Sequence, residues 1–299
     1  MRKYVIPNIR LGATSFLLHE TYVPAVRFAA ERCDDVALLL LEPGERNEYL
    51  ATPGEIAEIG RIIAGERATL HVHLPTDADF DTWEGARSMI GKIRRVAELT
   101  GPLDPHSFVL HVDFPSLHGT GGEPSAEQQE WTAEALREIA ACLPAPERLA
   151  VENLETYAPS FWDRWLAGTP YSRCLDVGHI WKDGGDPAPV LAAWLPRVRV
   201  IHLHGLEPRG SEADAAKPQG QQKAPEKLAE RTLSRLFGPR PRDHKSLRLM
   251  PPEFVDDVMH PLWKTGFSGV LNLEVFSVED FTASHAVLMH SWERYAASS

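Results

Sequence analysis

The sequence has few cysteines, a deficit of basic residues and no long apolar run. Its 299 residues include only three cysteines, Cys33, Cys142 and Cys174, which are far apart and odd in number. This pattern favours a reducing compartment over a disulfide scaffold. With 42 acidic against 31 basic residues, the formal net charge is −11. A general nucleic-acid surface needs clustered Lys and Arg, so the charge argues against one.

The longest apolar run, residues 36–41, is far shorter than the roughly 18 residues that a membrane helix requires. The basic start, residues 1–7, is not followed by an apolar segment of secretory length. At 43% hydrophobic residues the chain can nevertheless bury a full core. We therefore expect a cytoplasmic protein with no membrane partner, no nucleic-acid partner and no evident protein partner.

Eight short, nearly continuous apolar runs alternate with segments of helical periodicity. The runs are residues 9–16, 36–42, 68–75, 107–113, 148–154, 172–177, 198–205 and 269–276. Such runs are typical of parallel strands covered on both faces, and helices between them predict right-handed βαβ units. No G-x-G-x-x-G turn follows the first strand. The sequence therefore predicts an α/β fold in which residues 1–299 form a single (β/α)8 TIM barrel.

Helix starts and one long insertion complete this prediction. Thr52 with Glu55 and Ser125 with Gln128 have capping-box spacing, and further starts are expected at Asp186 and Pro251. Residues 206–248 separate the seventh strand from its helix, and a short helix is expected at 226–237. A loop of this length is usually either a lid over the functional face or a solvated insertion, and both interpretations stay open.

Seven of the eight predicted strands end in His, Asp or Glu. These residues are Glu42, His71 with His73, His111 with Asp113, Glu152, Asp176 with His179, His202 with His204, and Glu274. The carboxyl ends of barrel strands converge, so we expect these side chains to meet in one pocket. Burying so many ionisable groups without a cation costs several kcal/mol per unpaired charge. The pattern therefore predicts a divalent metal centre.

Imidazole and carboxylate ligands together favour zinc or manganese over magnesium or calcium, and the number of candidates allows one to three ions. Such ions can promote in-line displacement at phosphorus, and they can also hold the hydroxyls of a sugar. The ligand types alone do not separate these two chemistries.

The strand-end residues resemble those of the xylose-isomerase-like TIM barrels, the superfamily that includes endonuclease IV. The matching segments, in family order, are His73-Leu74-Pro75, His111, Glu152-Asn153, Asp176-Val177-Gly178-His179, His202-Leu203-His204, Asp243-His244 and Leu273-Glu274. The resemblance implies that His73, His111 and Glu152 bind one metal ion. It implies that Asp176, His202 and Glu274 complete a central cluster with Glu152, and that His179 and His244 bind a further ion. The endonuclease pattern has an aspartate where this chain has Arg242.

A narrower resemblance lies in residues 10–16 (RLGATSF), 72–75 (VHLP) and 243–247 (DHKSL), which are similar to the cobamide-remodelling phosphodiesterases. It implies a metal-dependent hydrolase that cleaves the phosphoribosyl linkage in the nucleotide loop of cobamides. The products would be cobinamide phosphate and an α-riboside, and the partner would be a small-molecule corrinoid. Glu152 and Glu274 would be catalytic, whereas Glu42, His204 and Asp243 would contact the substrate.

Three other functions remain open on the same scaffold. A metal-dependent sugar isomerase or epimerase needs only the set Glu152, Asp176, His202 and Glu274. An abasic-site endonuclease needs DNA-binding loops rich in Arg and Lys, which a chain at −11 does not show. A non-catalytic corrinoid- or metal-binding carrier would not need both glutamates.

Overall fold

The structure is a computed structural model that describes residues 3–40, 50–208, 233, 236–238 and 241–298. The strands within these ranges are β1 (Arg10–Thr14), β2 (Asp35–Leu39), β3 (Thr69–His73), β4 (Phe108–His111), β5 (Leu149–Glu152), β6 (Ser172–Asp176), β7 (Val198–Leu203), β8 (Gly205–Glu207), β9 (Arg242–Lys245) and β10 (Val270–Leu273). Eight of them pair in parallel and close into a barrel in the order β1, β10, β7, β6, β5, β4, β3, β2.

The predicted (β/α)8 barrel is therefore confirmed, and each apolar run coincides with one barrel strand. Each strand ends slightly earlier than the sequence predicted. For example, β10 ends at Leu273, although the apolar run continues to residue 276. The reason is that the residues after each strand turn away from the sheet to form the loops of the carboxyl-terminal face.

The helices pack around the barrel. They are α1 (Tyr22–Ala30), α2 (Pro53–Glu66), α3 (Trp83–Thr100), α4 (Ala126–Ala141), α5 (Asp163–Leu166), α6 (Val177–Lys182), α7 (Pro187–Trp194), α8 (Pro252–Thr265) and α9 (Val278–Ser298). The capping boxes at Thr52 and Ser125 are present, and Asp186 caps α7 by accepting from the backbone N–H of Ala188. None of the helices described is long and apolar enough to cross a bilayer.

The barrel interior changes from apolar to polar along its axis. Five buried side chains form a separate apolar cluster inside the barrel: Val109, Ala150, Cys174, Val200 and Val270. On each of these five strands, the next inward-facing residue lies two positions further along the chain and is polar. For example, His111 follows Val109 and Glu152 follows Ala150. The apolar cluster thus supports a polar layer at the carboxyl-terminal end.

The two ends of the long insertion pair with each other as a two-stranded hairpin that the sequence did not predict. Strands β8 and β9 pair antiparallel, so the chain returns to the barrel mouth at Arg242–Lys245. Gly205 permits this return, because a Cβ there would lie 2.3 Å from the carbonyl oxygen of Ser246. The expected helix at 226–237 lies largely outside the described residues.

The opposite, amino-terminal end of the barrel contains a histidine that titrates abnormally. Arg10 donates from Nη2 to Nε2 of His106 over 3.0 Å. Burial, followed by the positive charges of Arg10 and Arg199, lowers the pKa of His106 to about 4. In the unfolded chain a histidine titrates near 6.5, so the unfolded state binds more protons between these two values.

We therefore predict that stability falls as the pH is lowered from about 6.5 to about 4, and that His106→Gln removes part of this slope. Urea unfolding at several pH values measures it. His290→Gln, at an exposed position of α9, is the control and should keep the wild-type slope. An unchanged slope in His106→Gln would contradict the assignment.

Candidate metal centre

Four strands deliver the central residues of the site. Glu152 and Asp176 are the last residues of β5 and β6, His202 is the penultimate residue of β7, and Glu274 directly follows β10. All four residues are at most 5% exposed. Because the strands are parallel and their side chains alternate, all four side chains enter the same end of the barrel interior.

These four residues form a compact donor group, which we call the central group. One donor atom from each lies within 4.8 Å of the others. Nδ1 of His202 is 3.1 Å from Oε1 of Glu152 and 3.2 Å from Oε2 of Glu274. It is also 3.8 Å from Oδ2 of Asp176. Three carboxylates therefore surround one imidazole nitrogen.

A second group, the β3–β4 group, shares Glu152 with the first. Nε2 of His73 lies 3.3 Å, and Nε2 of His111 3.1 Å, from Oε2 of Glu152. Since Oε1 faces His202, the two oxygens of Glu152 face different imidazoles. The carboxylate therefore stands between two sets of potential ligands.

A third group, the hairpin group, consists of His179, His204 and His244, whose donor atoms also lie within 4.8 Å of one another. Asp176 connects it to the central group, because its Oδ1 is 3.4 Å from Nε2 of His204. His244 sits in β9 with a left-handed backbone, φ 52°. Its N–H donates to Nδ1 of His204 over 3.1 Å, so the hairpin holds this strained residue at the site.

Gly178 provides the space for His204. It lies in the first turn of α6, immediately after Asp176 and Val177. A Cβ at this position would lie 2.0 Å from Cε1 of the His204 ring. A side chain here would therefore displace the imidazole from the hairpin group.

The polar atoms of the cluster are not satisfied by protein partners alone. Within the described part of the chain, Oδ2 of Asp176 is buried and accepts no hydrogen bond, and the Nε2 atoms of His202 and His204 are buried without a hydrogen-bond partner. A buried, unpaired carboxylate oxygen is costly, and a coordinated cation removes that cost. Imidazoles with carboxylates are the ligands of zinc and manganese. The residues present therefore fit a divalent cation.

The pKa shifts of the clustered glutamates and histidines also fit a divalent cation at this site. Burial alone would raise the pKa of Glu152, but the imidazoles of His202 and His111 hold it well below the usual range. His202 does the same for the pKa of Glu274. Burial opposes the charge on His179, whereas Asp176, Glu155 and Glu152 raise its pKa to about 9. Imidazolium protons thus balance the carboxylates, and a bound cation would displace such protons.

The structure brings together all eight residues that the sequence predicted as metal ligands. They are His73, His111, Glu152, Asp176, His179, His202, His244 and Glu274. His204, predicted to contact substrate, is completely buried within the hairpin group. Asp243 lies at the mouth of the site in an ion pair with Lys182. Glu42, the remaining predicted substrate contact, lies outside the described residues.

Sequence reasoning missed two charged residues at the edge of the site. Oε2 of Glu155 is 3.4 Å from Nε2 of His179, and Nζ of Lys182 is 2.8 Å from Oε1 of Glu155. Glu155 follows Glu152 by three residues and Lys182 follows His179 by three residues. Position just after a strand end was the signal available in the sequence.

Comparison with known proteins shows likeness in fold. No protein-family model matches the chain, and a search of curated proteins finds no match. A solved D-tagatose 3-epimerase-like protein is 15% identical, covers 97% of this chain and 99% of its own, and has a TM-score of 0.67. An L-ribulose 3-epimerase is 14% identical over 97% of this chain and 98% of its own, with a TM-score of 0.62.

A third solved structure carries a metal. It is a xylose isomerase-like TIM barrel protein from Mycobacterium smegmatis in complex with magnesium. It is 11% identical to this chain and covers 95% of it and 97% of its own length, with a TM-score of 0.59. Because these three proteins are only 11–15% identical to this chain, the comparisons show that they share its barrel fold.

We predict that Asp176→Asn weakens binding of Mn²⁺ or Zn²⁺ by at least about 100-fold. Changing residues that only support metal ligands already costs about 10–100-fold, and Asp176 contacts both the central and hairpin groups. Isothermal titration calorimetry measures the affinity. Asp163→Asn, an exposed aspartate that pairs with Arg173, is the control. Equal affinity in wild type and Asp176→Asn would contradict the site.

We also predict that Gly178→Ala lowers the metal content per chain, because the new Cβ displaces His204, while the central group keeps its cation. Plasma mass spectrometry after dialysis measures the content. Gly65→Ala in α2, where a Cβ meets nothing within 4 Å, should behave as wild type. Alanine is favourable in helices, but the displaced His204 ring is buried, so thermal unfolding of Gly178→Ala is measured to check that the fold is kept. Wild-type metal content in Gly178→Ala would exclude the hairpin group as a cation site.

Proposed function

We propose that this protein is a divalent-metal-dependent sugar isomerase or epimerase. The observation that carries the proposal is the pair of buried glutamates, Glu152 and Glu274, which face the same Nδ1 of His202 within one donor group. The solved proteins named as D-tagatose 3-epimerase-like and L-ribulose 3-epimerase support it through their fold.

The proposed reaction requires a proton to leave a carbon next to a sugar carbonyl. A divalent cation held by Glu152, Asp176, His202 and Glu274 would supply Lewis-acid polarisation of the sugar oxygens. Glu274 is the better placed base, because its ion pairs with His202 at 3.2 Å and with His244 at 3.6 Å both involve Oε2, whereas both oxygens of Glu152 face imidazoles. Isomerisation needs this one base, which returns the proton to the neighbouring carbon while the hydroxyl proton moves to the former carbonyl oxygen. Epimerisation needs Glu152 as well: Glu274 would keep the proton it has removed, and a protonated Glu152 would donate a different proton to the same carbon from the opposite face.

A second candidate is the metal-dependent phosphodiesterase acting on a cobamide. The observation that favours it is the surplus of donors, since the β3–β4 and hairpin groups add five histidines to the central group. Glu152 faces imidazoles with both oxygens, as a carboxylate between two cations would. Neighbouring cations are typical of sites for displacement at phosphorus. Glu274 would then take the proton of the attacking water as the ester P–O bond breaks.

For both candidates we propose a small-molecule substrate and neither a nucleic-acid nor a protein partner. The net charge of −11 supports this proposal against a polyanionic partner. In the second candidate the small molecule is the corrinoid, and the products are cobinamide phosphate and an α-riboside.

The test is incubation with Mn²⁺ or Zn²⁺ in deuterated water, with a panel of free ketoses and aldoses in one arm and adenosylcobalamin in the other. Mass spectrometry and NMR follow both arms. Carbon-bound deuterium with interconversion of sugars supports the isomerase or epimerase. Release of cobinamide phosphate and an α-riboside, with the sugars unchanged, supports the phosphodiesterase and overturns the first proposal.

In whichever arm reacts, we predict that Glu274→Gln lowers the rate by about 10²–10⁴-fold, because the amide cannot accept the proton. Glu279→Gln is the matched control, since the Glu279 side chain is 78% exposed and pairs with Arg248 at the surface. A fully active Glu274→Gln would contradict the role of this residue in both candidates.

A further inference from the structure

Below the central group, the barrel interior contains a second set of polar side chains that neither candidate reaction uses. Asp35 on β2, His71 on β3 and Asn272 on β10 are all completely buried. His71 precedes His73 by two residues, and Asn272 precedes Glu274 by two, so strand alternation places each of them one inward-facing position below the donor residue on its own strand. We call Asp35, His71 and Asn272 the lower polar layer.

One side of this layer is firmly fixed. Nδ1 of His71 lies 2.5 Å from Oδ1 of Asp35, and the Thr69 hydroxyl donates to Oδ2 of the same carboxylate over 2.5 Å. Burial acts to raise the pKa of Asp35, but His71 and Thr69 hold it below its usual value. An ionised Asp35 accepts the Nδ1–H of His71, so the orientation of this ring is set and its Nε2 points away from Asp35.

The other side of the layer is polar but unsatisfied. Among the residues that the structure describes, none makes a hydrogen bond to Nε2 of His71, to Nε2 of His202 or to either amide atom of Asn272, all of which are buried. Asn272 and His202 are direct neighbours across β10 and β7. The ring centres of His71 and His202 are 6.2 Å apart. Leaving buried polar atoms unsatisfied is costly, so several such atoms in one layer indicate a bound ligand.

Water is the ligand whose chemistry fits. A buried water typically makes about three hydrogen bonds to otherwise unsatisfied groups, and it both donates and accepts. The Cys174 thiol also lies within 4.8 Å of a donor atom of His202, but thiols are weak hydrogen-bonding groups. A thiol therefore does not replace a water in satisfying the Nε2 atom.

We propose that one buried water joins His71 and Asn272 to Nε2 of the metal ligand His202, and that Asp35, His71 and Asn272 are positioning residues for this ligand. Ligand histidines commonly donate their second ring N–H to such a partner, which fixes the ring and its tautomer. Here Nε2–H of His202 donates to the water, leaving Nδ1 free towards Glu152 and Glu274. The inference rests on the proposed metal centre.

The first part of the test is a high-resolution crystal structure of the wild-type protein. We expect a water within hydrogen-bond distance of Nε2 of both His71 and His202, and of the Asn272 amide. The structure of Asn272→Leu, which has similar side-chain volume without polar atoms, should lack it. A wild-type structure with no such water overturns the proposal, even if the leucine variant does not fold.

The second part is the affinity for Mn²⁺ or Zn²⁺ by calorimetry, with thermal unfolding measured on each variant. We expect Asn272→Leu to bind about 10–100-fold more weakly, and Asn272→Ser, which keeps a polar partner, to recover most of the affinity. Val109→Ala, an apolar change inside the same barrel, is the control and should bind as wild type. Wild-type affinity in Asn272→Leu overturns this inference alone, whereas a wild-type protein that binds neither cation contradicts the proposed function as well.

Discussion

Opposite charges buried at the carboxyl-terminal end of the barrel are the constraint on which the site depends. Glu152, Asp176 and Glu274 are almost completely removed from water, and each carboxylate faces at least one imidazole. Isolated buried carboxylates would be prohibitively costly, so they persist only where positive charge is fixed opposite them. Because Glu152 belongs to two donor groups, and Asp176 connects the central group to the hairpin group, the three groups form one electrostatic unit.

The backbone makes this concentration of charge possible. Because the strands are parallel, the inward-facing side chains at their carboxyl ends all lie in the same pocket. This pocket lies above the apolar cluster inside the barrel, which includes Val200 and Val270. Two local features then complete the hairpin group: Gly178 leaves room for the His204 ring, and the β8–β9 hairpin returns His244 to the mouth. The lower polar layer beneath provides a rigid support, because Asp35 fixes His71.

Sequence patterns predicted the features that depend on residues close together in the chain. Eight apolar runs gave the strands, capping boxes gave helix starts such as Thr52, and the polar residue at each strand end gave the donors. What the sequence could not provide depends on contacts between distant segments. The approach of Gly178 to His204, the hairpin at Gly205 and the unsatisfied amide of Asn272 each involve another strand or loop. Glu155, in the loop after β5, and Lys182, the last residue of α6, were missed because charges in loops and at helix ends are common and usually solvated.

Both candidate reactions need the same cation at Glu152, Asp176, His202 and Glu274, and they differ in how many of the surrounding histidines take part. The most direct measurement is anomalous X-ray diffraction from crystals grown with Mn²⁺ or Zn²⁺. The account predicts an anomalous peak within coordination distance of all four central side chains. A map with no peak there, and with the carboxylates paired only to protonated histidines, would contradict it.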